Sequence, residues 1–243
     1  ISYMGPDDNP TYGAHDAAVA GGVGRPSFLM TWVGADTSSG QTSPSFEAHT
    51  RLLAMDTTGP TGPTLTGGGD WVDAPSVTVT ASGSADAESG VLRYEWITST
   101  DSISWSDITR ASTVTVTDEG ETVVAFRAAN GYGDAGDWAT TVVRIDRGTP
   151  TVPVLAGGSA AWRPGDVTVT GTSTSISPVT YWHRTSTDGG GTWSEPVAGG
   201  SVTAGTEGET LVQMRAVNAV GAESAWSASA PVRIDRTAPT GVV

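Results

Sequence analysis

The sequence predicts an all-β chain in which one small sandwich is written twice behind a shorter meander. Two observations predict it. Val143-Arg144-Ile145-Asp146-Arg147 returns 89 residues on as Val232-Arg233-Ile234-Asp235-Arg236, a period long enough for one domain per copy. The 243 residues also include 32 glycines and 14 prolines, and Val alternates with Thr and Ser in short runs. Long helices would instead need Ala, Leu, Glu and Lys recurring at helical spacing.

Residues 1–56 stand outside the repeat. Ile1-Ser-Tyr-Met4 reads as a short strand before the turn cluster Gly5 to Pro10. Asp16 to Ala20 and Ser27 to Val33 read as two strands separated by Gly21-Gly-Val-Gly24. A polar loop then leads to Phe46 to Leu53, whose front half alternates. Four strands with hairpin-length connections make a small antiparallel meander, which buries little by itself.

Residues 57–64, Thr-Thr-Gly-Pro-Thr-Gly-Pro-Thr, form a short semi-rigid joint, because proline fixes φ where a helix would need freedom. Equivalent joints follow at Asp146 to Pro150 and Asp235 to Pro239. The first copy spans 57–148 and the second 149–238, and residues 239–243 read as the start of a further segment. Val77-Thr-Val-Thr80 matches Val167-Thr-Val-Thr170, Glu119-Gly-Glu-Thr122 matches Glu207-Gly-Glu-Thr210, and Arg127-Ala-Ala-Asn130 matches Arg215-Ala-Val-Asn218. About seven short runs per copy, broken by turn signals roughly every 8–12 residues, is the pattern of an Ig-like β-sandwich.

The residues Glu119-Gly120 to Asn130 with Val143 to Pro150, and Glu207-Gly208 to Asn218 with Val232 to Pro239, resemble strands of the tandem Ig-like modules of bacterial surface proteins. The front unit resembles a blade from large secreted bacterial repeat proteins, through Met4-Gly5-Pro6-Asp7, Ala18-Val19-Ala20, Phe28 to Asp36 and Phe46-Glu47 to Leu52. Together these resemblances imply two tandem Ig-like β-sandwiches preceded by a β-meander or propeller-blade-like unit, extracellular or displayed on the cell surface.

Composition excludes several functions. With 26 acidic and 12 basic side chains the formal charge is −14. That disfavours nucleic acid and anionic membranes, which are held by clustered Lys and Arg. No cysteine is present, so disulfides, thiolate metal sites and thiol nucleophiles are out. No apolar stretch reaches the roughly 20 residues that span a bilayer. Ile1 opens the chain without a signal peptide, which reads as a fragment or a processed product.

Ser186-Thr-Asp188-Gly-Gly190-Gly-Thr192-Trp193 carries the S-x-D-x-G-x-T-W pattern of an Asp-box. The resemblance implies a hairpin turn in which Asp and Ser bond backbone amides above a packed Trp, a structural and not a catalytic role. Ser99-Thr-Asp101-Ser-Ile-Ser-Trp105 is a shortened relative lacking the glycines. Tryptophans that pair across the copies are expected in the cores. Trp96 and Trp182, which do not align, are expected to be exposed and, with Trp32, are the candidate glycan contacts.

Calcium needs about six to eight oxygens, and acidic loops supply some of them. Asp7 and Asp8, and Asp86 with Glu88, are the candidate ligands, although Asp and Asn are also the favoured turn residues. No other cofactor is implied. No nucleophile elbow, zinc-protease pair, phosphate loop or dinucleotide fingerprint occurs. The expected function is a non-enzymatic stalk or fibre subunit whose partners are neighbouring domains or chains. A carbohydrate-binding or adhesive module appended to a secreted enzyme is the alternative.

Overall fold

The computed structural model describes residues 56–241, together with three strands of the front unit at 15–21, 27–36 and 45–54. Ile1 to Met4, Asp7 and Asp8 lie outside the described residues. Among the described residues there are nineteen strands and no helix.

β1 (His15–Gly21), β2 (Ser27–Asp36) and β3 (Ser45–Ala54) form an antiparallel sheet in that order. The β2–β3 ladder runs from Ser27 opposite Ala54 to Asp36 opposite Ser45 without a break. The β1–β2 register shifts between His15 and Ala18, the signature of a bulge.

Eight strands follow in the first copy: β4 (Thr64–Thr66), β5 (Trp71–Val72), β6 (Val77–Ser82), β7 (Arg93–Ser99), β8 (Thr109–Arg110), β9 (Thr113–Val116), β10 (Gly120–Ala129) and β11 (Ala139–Ile145). They make a three-stranded sheet β4-β6-β9 and a five-stranded sheet β5-β11-β10-β7-β8. The second copy supplies β12 (Val154–Ala156), β13 (Ser159–Arg163), β14 (Val167–Thr172), β15 (Val179–Ser186), β16 (Val197–Ala198), β17 (Ser201–Ala204), β18 (Gly208–Asn218) and β19 (Ala230–Ile234). Its sheets, β12-β14-β17 and β13-β19-β18-β15-β16, repeat the first order strand for strand. These are the two Ig-like sandwiches of an all-β chain.

In each copy the chain changes sheets across a glycine. β4 lies in the small sheet, while β5 runs parallel to β11 in the large one. Gly67 between them has φ +93°, and a Cβ there would stand 2.3 Å from the Thr78 carbonyl oxygen. Gly157, at φ +93°, repeats the crossing, with its Cβ position 2.1 Å from the Thr168 oxygen. Only a residue without a side chain fits this left-handed bend against backbone.

The period-2 pattern sorts the strands into faces. Val79, Val114, Val116, Val124, Phe126, Val143 and Ile145 are buried in the first copy. Val169, Ala204, Val212, Met214, Val232 and Ile234 form the second core, with Leu155, Val167, Val202 and Ala230 packed on it. Each fully buried aliphatic side chain contributes about 1.5–3 kcal/mol. Thr lines the outer faces, where Thr78 meets Thr115 at 3.0 Å and Thr168 meets Thr203 at 2.9 Å.

The cross-copy tryptophans do not fill these cores. Trp162 is 57% exposed, Trp105 40% and Trp138 36%. Val, Ile, Phe126 and Met214 occupy the space between the sheets instead.

By contacts the chain divides into two units. One comprises residues 1–63, 83–94 and 127–137, the other 64–82, 95–126 and 138–243. The division cuts across the first pair of sheets and leaves the second whole.

Candidate functional site: the aspartate joint

β11 carries the chain out of the first copy through buried Val143 and Ile145 to Asp146, which is itself 0% exposed. Among the described residues the donors to this carboxylate are all neutral. Gly148 N–H donates to Oδ1 at 2.9 Å, a turn closed on the residue's own backbone. Oδ2 accepts from Ser177 N–H at 3.0 Å, Ser175 Oγ at 3.2 Å, Ser177 Oγ, and Asn218 Nδ2 at 2.9 Å. Asn218 Nδ2 also donates to Gly148 O at 3.0 Å, and its Oδ1 accepts Ala222 N–H at 2.8 Å. Burial is the largest single influence and opposes ionisation, yet the donors from Ser177, Gly148 and Ser175 outweigh it and hold Asp146 below its ordinary value.

The local sequence explains the placement. β19 and β15 flank β18, the strand that ends at Asn218, and the loop Ser173 to Pro178 precedes β15 in the same sheet. Beside the joint, Ser173 to Val179 line a 550 Å³ hollow with Trp71, Gly120 and Glu121. Trp71, expected in the core, is instead half-buried there.

The other unit contains the same arrangement around Asp56. Thr58 N–H donates to Oδ1 at 3.1 Å, while Ser89 Oγ and Asn130 Nδ2, the latter at 2.7 Å, donate to Oδ2. The Ser89 hydroxyl is the largest cause of a lowered Asp56 pKa, with Thr58 and Asn130 assisting against burial. Asn130 is 0% exposed, and its Oδ1 accepts from the amides of Tyr132, Gly133 and Asp134. Asn130 and Asn218 thus do the same work twice.

Asp86 and Glu88, the calcium candidates, belong to this neighbourhood. Asp86 Oδ1 accepts Glu88 N–H at 2.9 Å and Ser89 N–H at 3.0 Å. Glu88 Oε2 accepts Thr58 Oγ1 at 3.0 Å and Thr57 N–H at 3.3 Å. The amide of Ser89 is the main reason the Asp86 pKa is lowered. Among the described residues no group of three or more acidic or histidine side chains gathers as a metal site.

The two turns carrying aspartate are self-contained. Asp188 Oδ1 accepts Thr192 N–H at 2.9 Å and Ser186 Oγ at 2.7 Å, while Oδ2 accepts Thr192 Oγ1 at 2.6 Å. The Thr192 hydroxyl leads the causes that hold this carboxyl well below the usual range. Gly190 N–H donates to Ser186 Oγ at 2.9 Å. Trp193 lies 4.7 Å from the Arg184 guanidinium, which also stacks on Trp226 at 4.3 Å. In the first copy Asp101 takes the amides of Ser104 at 2.7 Å and Ile103 at 2.8 Å, which lower its pKa to about 2. Ser102 there adopts φ +59°, where Gly189 of the second copy has φ +74°.

Of the candidate glycan contacts, Trp96 and Trp182 occupy opposite kinds of face. Trp182 pairs with Arg215 on β18, whose buried residues Met214 and Ala216 face the other way, so Trp182 stands on the outer face. Trp96 shares a cleft of about 310 Å³ with the buried, inward Val114, Val116 and Thr122. Both are half-buried, contrary to the exposure expected of them; Trp96 is sunk between the sheets, and Trp182 stands opposite Arg215 and Ala198. Trp32 pairs with His49 between β2 and β3, and its side chain lies outside the described residues. His183 Nδ1 lies 3.2 Å from Gly199 O.

The sequence showed both halves of the joint, the Asp of Ile145-Asp146 and the Asn of Arg215-Ala-Val-Asn218, as repeat markers. What was missing was that one meets the other across 72 residues.

No protein-family model matches the chain, and no curated protein matches it. Among solved structures, it is similar to the crystal structure of chicken CNTN1 FN1-FN3 domains at 17% identity, covering 75% of this chain and 69% of that one, with a TM-score of 0.38. Among the described residues no helix is long and apolar enough to cross a membrane.

Proposed function

We propose that this chain is a non-enzymatic structural or display segment of a large bacterial surface or secreted repeat protein, working as a stalk or assembly subunit outside the cell. The supporting observation is the buried Asp146. A flexible linker would leave its polar groups in water, whereas here the last carboxylate of one copy is enclosed by Ser175, Ser177 and Asn218 of the next. A carboxylate buried with its hydrogen bonds satisfied fixes direction, since tilting the joint would strand it unpaired. Short joints stiffened in this way suit a spacer that must project rather than coil.

Small-angle scattering and residual dipolar couplings on the whole chain test this. The two sandwiches are expected to share one alignment frame, and Asp146→Ala is expected to separate their frames while each keeps its strand signature. A shared frame in the variant, or independent frames in the wild type, would sink the stalk reading.

A further inference from the structure

Trp71, Gly120 and Glu121 of the first copy and the segment 173–179 of the second line one hollow of about 550 Å³, inside the range of roughly 300–1,000 Å³ typical of small-molecule sites. Its walls are fixed before any ligand arrives. Ser173 N–H donates to Tyr181 Oη at 2.9 Å, Ser173 Oγ to Thr151 O at 2.6 Å, and Ser177 N–H to Asp146 Oδ2 at 3.0 Å. On the first-copy side, Arg144 Nε donates to Glu121 Oε1 at 2.7 Å and its Nη1 to Gly69 O at 2.8 Å. Trp71 is half-buried, Glu121 and Thr174 are exposed, and a Cβ on Gly120 would meet no atom within 4 Å. An indole ring, a pinned carboxylate and an exposed hydroxyl residue therefore border one opening, in a framework that a ligand need not order.

We propose that this hollow binds a neutral pyranose unit of a glycan. The lining sets the class of ligand. It contains one carboxylate and no basic side chain, so an anionic ligand is repelled. Arg144 already balances Glu121, which leaves no net negative charge to hold an ammonium ligand. A neutral ring bearing hydroxyls fits what remains. Its C–H face carries slight positive charge and meets the negative face of the Trp71 ring. Its hydroxyls donate to the second oxygen of Glu121 and exchange hydrogen bonds with the Thr174 hydroxyl. The two walls come from different copies, so the site exists only while the Asp146 joint is fixed. To that extent the inference rests on the stalk reading above, to which it adds a ligand.

The test is calorimetric titration of the full chain, with amide and indole NMR spectra recorded on the same samples. Cellotetraose, mannotetraose and chitotetraose form one arm, and neutral N-glycans released from glycoproteins form the other. At least one sugar is expected to bind, and the arm that binds assigns its source. Binding is expected to shift the Trp71 indole and the amides of Gly120 and 173–179, and to weaken about tenfold or more in Trp71→Ala. Trp162 is 57% exposed and lies outside this lining, so Trp162→Ala is expected to leave the affinity unchanged. No binding in either arm, or shifts in the wild type that miss the hollow, overturns the proposal. So does full affinity in a Trp71→Ala chain that keeps its strand signature, or a proline-rich peptide that shifts these signals where the sugars do not. Dipolar couplings on the unliganded chain separate the two failures: a shared frame without sugar binding sinks the site alone, whereas independent frames sink the stalk reading.

Discussion

Asn218 Nδ2 donates to Asp146 Oδ2 at 2.9 Å across 72 residues of chain, and Asp146 is 0% and Asn218 5% exposed. An amide bonded to an ionised, buried carboxylate is among the stronger neutral-to-charged contacts, and removing it leaves the carboxylate short of a donor. Asn218→Ala is expected to cost about 1.5–3 kcal/mol, read as a lower urea midpoint for the second sandwich. A loss below about 0.5 kcal/mol, the range of ordinary surface changes, would show the contact to be incidental.

Acid is expected to loosen the joint. The Asp146 carboxyl is held below its ordinary 3.8 in the folded chain, so the unfolded state binds the proton more readily. Its contribution is therefore present above about pH 4 and is lost as pH falls through the lowered folded value. The Asp101 turn follows the same sign, present above 3.8 and lost on approach to about 2. Dipolar couplings recorded from pH 6 down to about pH 2 are the measurement, and a joint that weakens instead on raising pH would contradict the assignment.

The sheet-switching glycines are expected to tolerate no side chain. Gly67→Ala and Gly157→Ala each place a Cβ within 2.3 Å or less of a carbonyl oxygen at positive φ, a strain of about 1–3 kcal/mol or more. Gly165→Ala, with nothing within 4 Å and no positive φ, is the control. Thermal melts should drop for the first two and hold for the third.

Two half-buried tryptophans are expected to respond unequally to phenylalanine. Trp96 Nε1 is buried without a partner, so Trp96→Phe removes an unsatisfied donor and offsets much of the lost packing. Trp226 lies against Arg184 at 4.3 Å and Arg215 at 5.1 Å. Trp226→Phe weakens two cation–π contacts worth about 0.5–1 kcal/mol each. Denaturant midpoints should fall further for Trp226→Phe, and the reverse order would refute this account.

Much of the fold was legible because β periodicity is written residue by residue. Val77-Thr-Val-Thr80 and Val167-Thr-Val-Thr170 show which side faces the core, and the structure makes them β6 and β14. The two-residue strands β5 and β8 were not legible, since Trp71-Val72 and Thr109-Arg110 are too short to show a period. Tryptophan placement was misjudged at Trp162 and Trp105 because repetition marks a residue as shared by both copies without saying which face it occupies. At the site, the Ser186 to Trp193 pattern was readable since all its hydrogen bonds are local.

By itself, the sequence determined the all-β class and the duplication, both properties of local order and repeat. The tertiary structure alone decided that Asp146 would be buried and meet Ser177 and Asn218, and that Trp96 and Trp182 would face different surroundings. The reason is physical. Strand alternation is local, whereas a carboxylate enters the interior only when donors from 31 and 72 residues away converge on it, and that convergence exists only once the second sandwich has folded around the joint.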